Sequence, residues 1–373
     1  MLFQRSIDII LSNQAPSGAY PASPTFPTYR YSWFRDGAFI AYAMDLVGEH
    51  ESARRFHNWA VETILHHRHR AEQAIVKAGH DEPLGQDYLQ TRYTQEGEEA
   101  HQEWPDFQLD GLGTWLWALQ EHLQQTSSTL PPSWAQAVDL IARYLQALWQ
   151  HPCYDLWEEH PDYLHPYTLA TIDCGLMVAE ELLTLVQSRR LLWQEARDHI
   201  HHFVLTHGVR DGHLVKYIVP DNGRLQPAPL VDASLIGVTT PHRFLPPDDP
   251  LIQRTVSRIE QELRYPGGGV YRYRLDTYYG GGEWVLLAAW LGWYYAETGR
   301  RQDALELMTW VEAQADEHGY LPEQVSDHLL APKYYDRWEQ EWGPVARPLL
   351  WSHAMYLILH QVLRLPPEGA THS

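Results

Sequence analysis

The chain has 373 residues, 44% of them hydrophobic and 20% charged, an ordinary balance for a folded protein. Its 28 basic and 48 acidic side chains leave a net charge of −20, a field that repels phosphate backbones and argues against a nucleic-acid partner. Two cysteines, Cys153 and Cys174, build neither a disulfide framework nor a thiolate metal site, and no apolar run is long enough to predict a membrane span.

Helical periodicity dominates the chain. Apolar faces predict helices at 2–13, 36–48, 51–75, 110–124, 132–150, 167–186, 189–206, 231–238, 250–264, 284–298, 300–316 and 346–363. The first of these reads as an amphipathic helix. It lacks the basic start, apolar core and small-residue cleavage site of a signal peptide, so a cytoplasmic location is expected. Strand-like material is minor, with YRYR at 271–274 as the best candidate for a short hairpin. No Ser/Gly-rich linker or shift in composition divides the chain, and a single domain is expected.

The connections alternate in length. Those entering the even-numbered helices are long: 14–35, 76–109, 151–166, 207–230, 265–283 and 317–345. Those leaving them are mostly short. In a ring of antiparallel helix pairs, alternate connections emerge at the same end, so one end is flat and the other carries the long loops. This pattern predicts an all-α fold, an (α/α)6 barrel, with its site at the long-loop end. An α-solenoid would alternate similarly but should repeat at a fixed period, and no such repeat is visible.

The chemistry-bearing residues lie in those loops. Trp33-Phe-Arg35-Asp36 precedes the second helix; alone, Asp36 reads as an N-cap, but a planar ring beside charged hydrogen-bonding groups suits a sugar rim. Trp104-Pro-Asp-Phe-Gln108-Leu-Asp110-Gly111 precedes the fourth, where Trp104 and Gln108 have no capping role. Tyr154-Asp155-Leu-Trp157-Glu158-Glu159 precedes the sixth. Crowded carboxylates and a neighbouring ring raise a carboxyl pKa, and a carboxyl kept protonated is a general acid, although an isolated triplet of this kind is usually a solvated acidic loop. Before the tenth helix, two Gly triplets flank a stretch holding Arg272, Asp276 and Trp284. Leu321-Pro322-Glu323-Gln324 opens the last long loop, which ends at Arg347-Pro-Leu-Leu-Trp351-Ser352. No metal motif is convincing. His66, His67 and His69, with Arg68 and Arg70, read as a solvated charged run. Aromatic residues reach 12%, with 16 Trp and 22 Tyr; sugars stack on such rings, and large cores use them too.

Together these segments resemble glycoside hydrolase family 15, the glucoamylase and glucodextranase family. The matches are WFRD at 33–36, W..FQLDG at 104–111, YDLWEE at 154–159, R.R.DTYYGGGEW at 272–284, LPEQ at 321–324 and RPLLWS at 347–352, spanning roughly residues 30–355. The resemblance implies a general acid at Glu158 and a general base at Glu323. It implies that Arg35 and Asp36 hydrogen-bond the terminal glucose, that Glu159 and Arg272 bind sugar around the cleavage point, and that Trp351 lies under the terminal pocket. Trp104 is implied to shape the site and contact the acid, with Gln108, Asp110, Asp155, Trp157, Asp276 and Trp284 in the same segments. The implied reaction is exo-acting hydrolysis of an α-glucoside with inversion, on a small neutral oligosaccharide and without a cofactor. The chain departs from the family pattern in leaving no room for an N-terminal β-sandwich and in lacking a starch-binding module. Leu275 and Glu283, on the expected acceptor side, also differ and bear on linkage specificity, where α-1,6 is slightly favoured. A trehalase of the same family and a non-catalytic sugar-binding barrel are the competing readings.

Overall fold

Residues 2–183, 187–221 and 224–364 are described by a computed structural model. The helices are α1 (Leu2–Asn13), α2 (Phe34–Leu46), α3 (His50–His66), α4 (Arg68–Ala78), α5 (Asp110–Gln125), α6 (Pro132–Leu148), α7 (Pro166–Leu182), α8 (Gln187–His207), α9 (Pro250–Leu263), α10 (Val285–Glu297), α11 (Arg301–Ala313), α12 (Tyr335–Trp342) and α13 (Leu350–Val362). Neighbour contacts run α2 to α5, α5 to α7, α7 to a 3-10 helix at Ala233–Val238, on to α10, then α13 and back to α2. That closes an inner ring of six. The outer ring holds α1, α3, α6, α8, α9 and α11, each packed on an inner element. The fold is the expected (α/α)6 barrel.

Burial explains which helices go inside. In α10, Val285–Tyr295 are buried without a break, because the helix packs on neighbours all round. In the outer helix α9 only Leu251, Ile252, Thr255, Val256, Ile259 and Leu263 are buried, one stripe of a helix otherwise facing solvent. Inner helices also approach closely. A Cβ on Gly113 of α5 would meet the Thr171 carbonyl oxygen of α7 at 2.2 Å, so no larger residue fits.

Several elements differ from the sequence-based expectation. The helix expected over 51–75 breaks at His67, whose ring Nε2 pairs with the Gly97 carbonyl at 2.8 Å. His67 is therefore buried, not part of a solvated run. The element expected at 231–238 is a 3-10 helix capped by Asp232, which accepts from the Ser234 amide. The expected helix at 346–363 starts only at Leu350, after Pro348. Helix α12 lies inside what reads as an uninterrupted loop. Among the described residues, YRYR at 271–274 forms no hairpin, and the longest one pairs Ile218–Asp221 with Arg224–Pro227. No described helix is long and apolar enough to cross a membrane.

Two short ladders staple the long loops to the inner helices. Strand β1 (Ser32–Trp33) pairs with β2 (Arg92–Tyr93), Trp33 opposite Arg92. Residues Glu283–Trp284, just before α10, pair with Gln324–Val325, which sets Trp284 opposite Gln324.

Candidate active site

Five of the six long connections meet at one end of the ring and wall a cavity of about 420 Å³, within the usual range for a small-molecule site. Of the residues singled out in the sequence, Trp33, Arg35, Asp36, Trp104, Trp157, Glu158, Glu159, Arg272, Trp284, Glu323 and Trp351 line it. Gln108, Asp110, Asp155 and Asp276 do not; they are buried behind the wall and hold residues that do.

Glu158 sits on a strained turn. Its backbone has φ of 68°, a left-handed conformation costly for a residue with a Cβ. Asp155 imposes the turn: its backbone carbonyl accepts from the Glu158 amide, and its carboxylate accepts from the amides of Trp157 and Glu159, each at 2.9 Å. The Glu158 side chain then projects into the cavity, where Oε1 accepts from the Trp33 indole N–H at 2.7 Å and from Gln108 Nε2 at 3.2 Å. Gln108 is oriented in turn by Arg35, which donates to Gln108 Oε1 at 2.8 Å and pairs with Asp110 at 3.2 Å. Trp104 packs edge-on against Trp33, its ring covering the Arg92 guanidinium at 3.8 Å.

The carboxylates flanking Glu158 turn away from it. Lys216, buried and drawn from the loop at 207–230, lies 2.8 Å from Asp155, 2.9 Å from Asp232 and 3.5 Å from Glu159. Burial alone would raise the Asp155 pKa, but Lys216 and His165 hold it down at about 2. Asp232 also accepts from the Trp157 indole N–H at 3.0 Å, fixing that ring in the wall. Glu159 accepts from the Tyr273 hydroxyl at 2.8 Å and lies 3.5 Å from Arg272, whose guanidinium is clamped by Asp276 at 2.6 and 2.7 Å. Neither Lys216 nor Asp232 stands in a recognisable motif.

Glu323 reaches the same cavity from the loop at 317–345. Its amide donates to the Ala346 carbonyl and its own carbonyl accepts from Val285, so the residue is fixed at the mouth of α10. Oε1 accepts from the Tyr29 hydroxyl at 3.2 Å, and Tyr29 is 2.8 Å from the Tyr278 hydroxyl. Oε2 has no hydrogen-bond partner among the described residues. Burial pushes the Glu323 carboxyl up to about 8; Arg272 and the Tyr29 hydroxyl pull the other way, while Asp36 and Asp276 add to the rise. Burial likewise pushes Asp36 up to about 7 against the pull of Arg35.

Behind the Arg35–Asp36 pair, the Trp351 ring lies 5.7 Å from the Arg35 guanidinium and stacks on Phe39. Trp338 and Trp342, from the unanticipated helix α12, line the rim. Glu283 is not at the rim: it is buried and ties the Gly269 amide at 2.6 Å to His328 at 2.9 Å. Leu275 is exposed.

A carboxyl fixed on one wall and a second, buried carboxyl with a free oxygen on another form the donor set expected for glycoside hydrolysis. The model of glycosyl hydrolases family 15 matches residues 1–361. The chain belongs to glycosyl hydrolase family 15. It is a glycoside hydrolase, exo-acting on α-glucosides. Over 99% of its length it is 39% identical to isomaltose glucohydrolase from Kribbella flavida, covering 94% of that protein. It is 24% identical over 74% of its length to trehalase 2 from Sulfolobus acidocaldarius, of which it spans 50%. A glycosidase variant solved in complex with glucose superposes with a TM-score of 0.91 at 38% identity, over 98% of this family 15 chain and 97% of the other.

Proposed function

We propose that the chain hydrolyses short α-1,6-linked glucosides such as isomaltose, releasing β-glucose from the nonreducing end with inversion. The reading rests above all on Glu158 and Glu323 lining one cavity from separate loops with opposite hydrogen-bonding situations. Trp33 and Gln108 both donate to Oε1 of Glu158, so a proton carried by this group resides on Oε2, and from there it passes to the glycosidic oxygen as the bond breaks. Glu323, as carboxylate, takes a proton from the water that attacks the anomeric carbon from the opposite face. Its unpartnered Oε2 is the atom that receives it, while Tyr29 steadies Oε1. The carbohydrate gains positive charge at the anomeric carbon in the transition state, and that charge favours the ionised form of Glu323 over the burial that opposes it.

Arg35, Asp36 and Trp351 supply charged hydrogen-bonding groups and a ring to the cavity wall, which suits the terminal glucose of an exo-acting enzyme. Glu159, Arg272, Trp157, Trp284 and the α12 tryptophans then take the cleavage point and the leaving sugar. The preference for isomaltose is supported by the Kribbella relative. The two buried free thiols agree with a cytoplasmic location. The test is glucose release from a panel of glucose disaccharides of every linkage. The highest kcat/KM is expected on isomaltose; trehalose in that position would make the protein a trehalase instead. Glu158→Gln should lower kcat by several orders of magnitude with KM nearly kept, and near-normal turnover would remove Glu158 from its role.

A further inference from the structure

Asp45, His57 and His122 converge from α2, α3 and α5 at the end of the barrel away from the cavity. One ligand-capable atom from each lies within 4.8 Å of those of the other two, and all three residues are buried. Asp110 opens α5 at the cavity end and His122 lies near its far end, which separates the cluster from the cavity by roughly 18 Å of helix.

The Asp45 carboxylate is the hub. His122 Nδ1 lies 3.0 Å from each of its oxygens, and His50 Nδ1 lies 2.8 Å from Oδ1. His57 breaks the pattern. It is fully buried, yet neither ring nitrogen meets a hydrogen-bonding group among the described residues. Its ring stands 5.0 Å from that of His122 and 5.7 Å from Trp134. A neutral imidazole carries one N–H and one lone pair, and burying both unpaired is costly where an apolar side chain would pack freely. A ligand held between His57, His122 and Asp45 would engage one of the two ring nitrogens and so lower that cost.

We propose that Asp45, His57 and His122 form a structural site for one divalent transition-metal ion, with zinc the best match. Two imidazoles and one carboxylate are a borderline donor set suited to zinc rather than to calcium or magnesium, which prefer oxygen. The 3.0 Å spacing of His122 and Asp45 is close to the separation of about 3.3 Å between neighbouring ligand atoms around a tetrahedral ion with bonds of about 2.0 Å. Three protein ligands leave the fourth position to water. His50, its side chain 42% exposed, bonds the Asp45 carboxylate from outside as an orienting partner and marks the side from which an ion enters. The ion would tie together three helices, two of which carry Arg35, Asp36 and Asp110 at their other ends.

The test uses untagged full-length protein stripped with a chelator, then titrated with Zn²⁺ and separately with Co²⁺. Calorimetry, the visible spectrum of bound Co²⁺ and the unfolding temperature are the readouts. One equivalent should bind, Co²⁺ should give the intense bands of a tetrahedral site, Zn²⁺ should raise the unfolding temperature, and kcat should not change. His57→Phe should abolish this binding, and His50→Ala should weaken it by about 10–100-fold. The double change His66→Ala with His69→Ala should leave it intact, which separates the site from the other histidines. Wild-type protein that holds Zn²⁺ and Co²⁺ no more tightly than His57→Phe would overturn the proposal. Should His57→Phe not fold, unchanged affinity in His50→Ala with no tetrahedral Co²⁺ bands in the wild type would overturn it equally.

Discussion

Replacing Tyr29 with Phe isolates the hydrogen bond accepted by the Glu323 carboxylate. The ring itself is held by Phe26 at 4.7 Å and by the edge of Trp33 at 5.8 Å, contacts that Phe keeps. What is lost is the hydroxyl donated to Glu323 Oε1 at 3.2 Å, one of the two influences that lower a carboxyl which burial nevertheless holds at about 8. A hydrogen bond to a charged group contributes about 1.5–3 kcal/mol, and the length of this one argues for the lower end. At about 1.4 kcal/mol per pH unit, the Glu323 carboxyl should rise by about one unit. A base must be ionised to act, so the acid limb of the kcat/KM profile on isomaltose should move to higher pH by that amount. Well below the limb, kcat/KM should fall by about tenfold; above it the loss should be much smaller. Tyr278 is positioned to substitute as donor, so Tyr29→Phe with Tyr278→Phe is the control. An acid limb superimposable on that of the wild type in both variants would refute the assignment of Glu323 as base.

Two further outcomes concern stability. Glu323 has a folded-state pKa of about 8 against an ordinary 4.5, so its favourable contribution is complete below about pH 4.5 and is lost as pH rises towards 8. Glu323→Gln should therefore unfold at a higher temperature than the wild type near neutral pH, by the equivalent of about 2–5 kcal/mol, with the gap closing below pH 4.5 in calorimetric scans. Lys216→Met leaves Asp155 and Asp232 buried without their cation and should cost about 3–5 kcal/mol in chemical denaturation. Because Asp155 and Asp232 also fix the Glu158 turn and the Trp157 ring, kcat/KM should fall with it.

The barrel was legible because it has two helix types with distinct sequence signatures: unbroken apolar runs such as Val285–Tyr295 inside, single stripes such as that of α9 outside. Helix α12 escaped because it has only 8 residues and buries none of them: YDRWEQEW spaces Tyr335, Trp338 and Trp342 as a helix does, but so short a stripe does not stand out from the loop around it. The break at His67 escaped because it depends on a partner 30 residues away, the Gly97 carbonyl. Within the site, the residues that line the cavity came in short dense segments, and eleven of the fifteen reach it. The supports are different. Lys216, Asp232, Tyr29 and Tyr278 act across loops far apart in the chain, and nothing local distinguishes Lys216 from a surface lysine until Asp155 and Asp232 are seen around it. Glu283 shows the converse error. An unusual residue beside Trp284 suggested a role towards the acceptor sugar, but its carboxylate is committed to the Gly269 amide and His328.

The configuration of the first sugar released tests the two-carboxylate mechanism most directly. Proton NMR in the first minutes of isomaltose hydrolysis, before mutarotation mixes the anomers, should give β-glucose from the nonreducing unit. An initial excess of the α-anomer over what the reducing unit contributes would mean retention of configuration, and Glu323 could then not be the base that activates water.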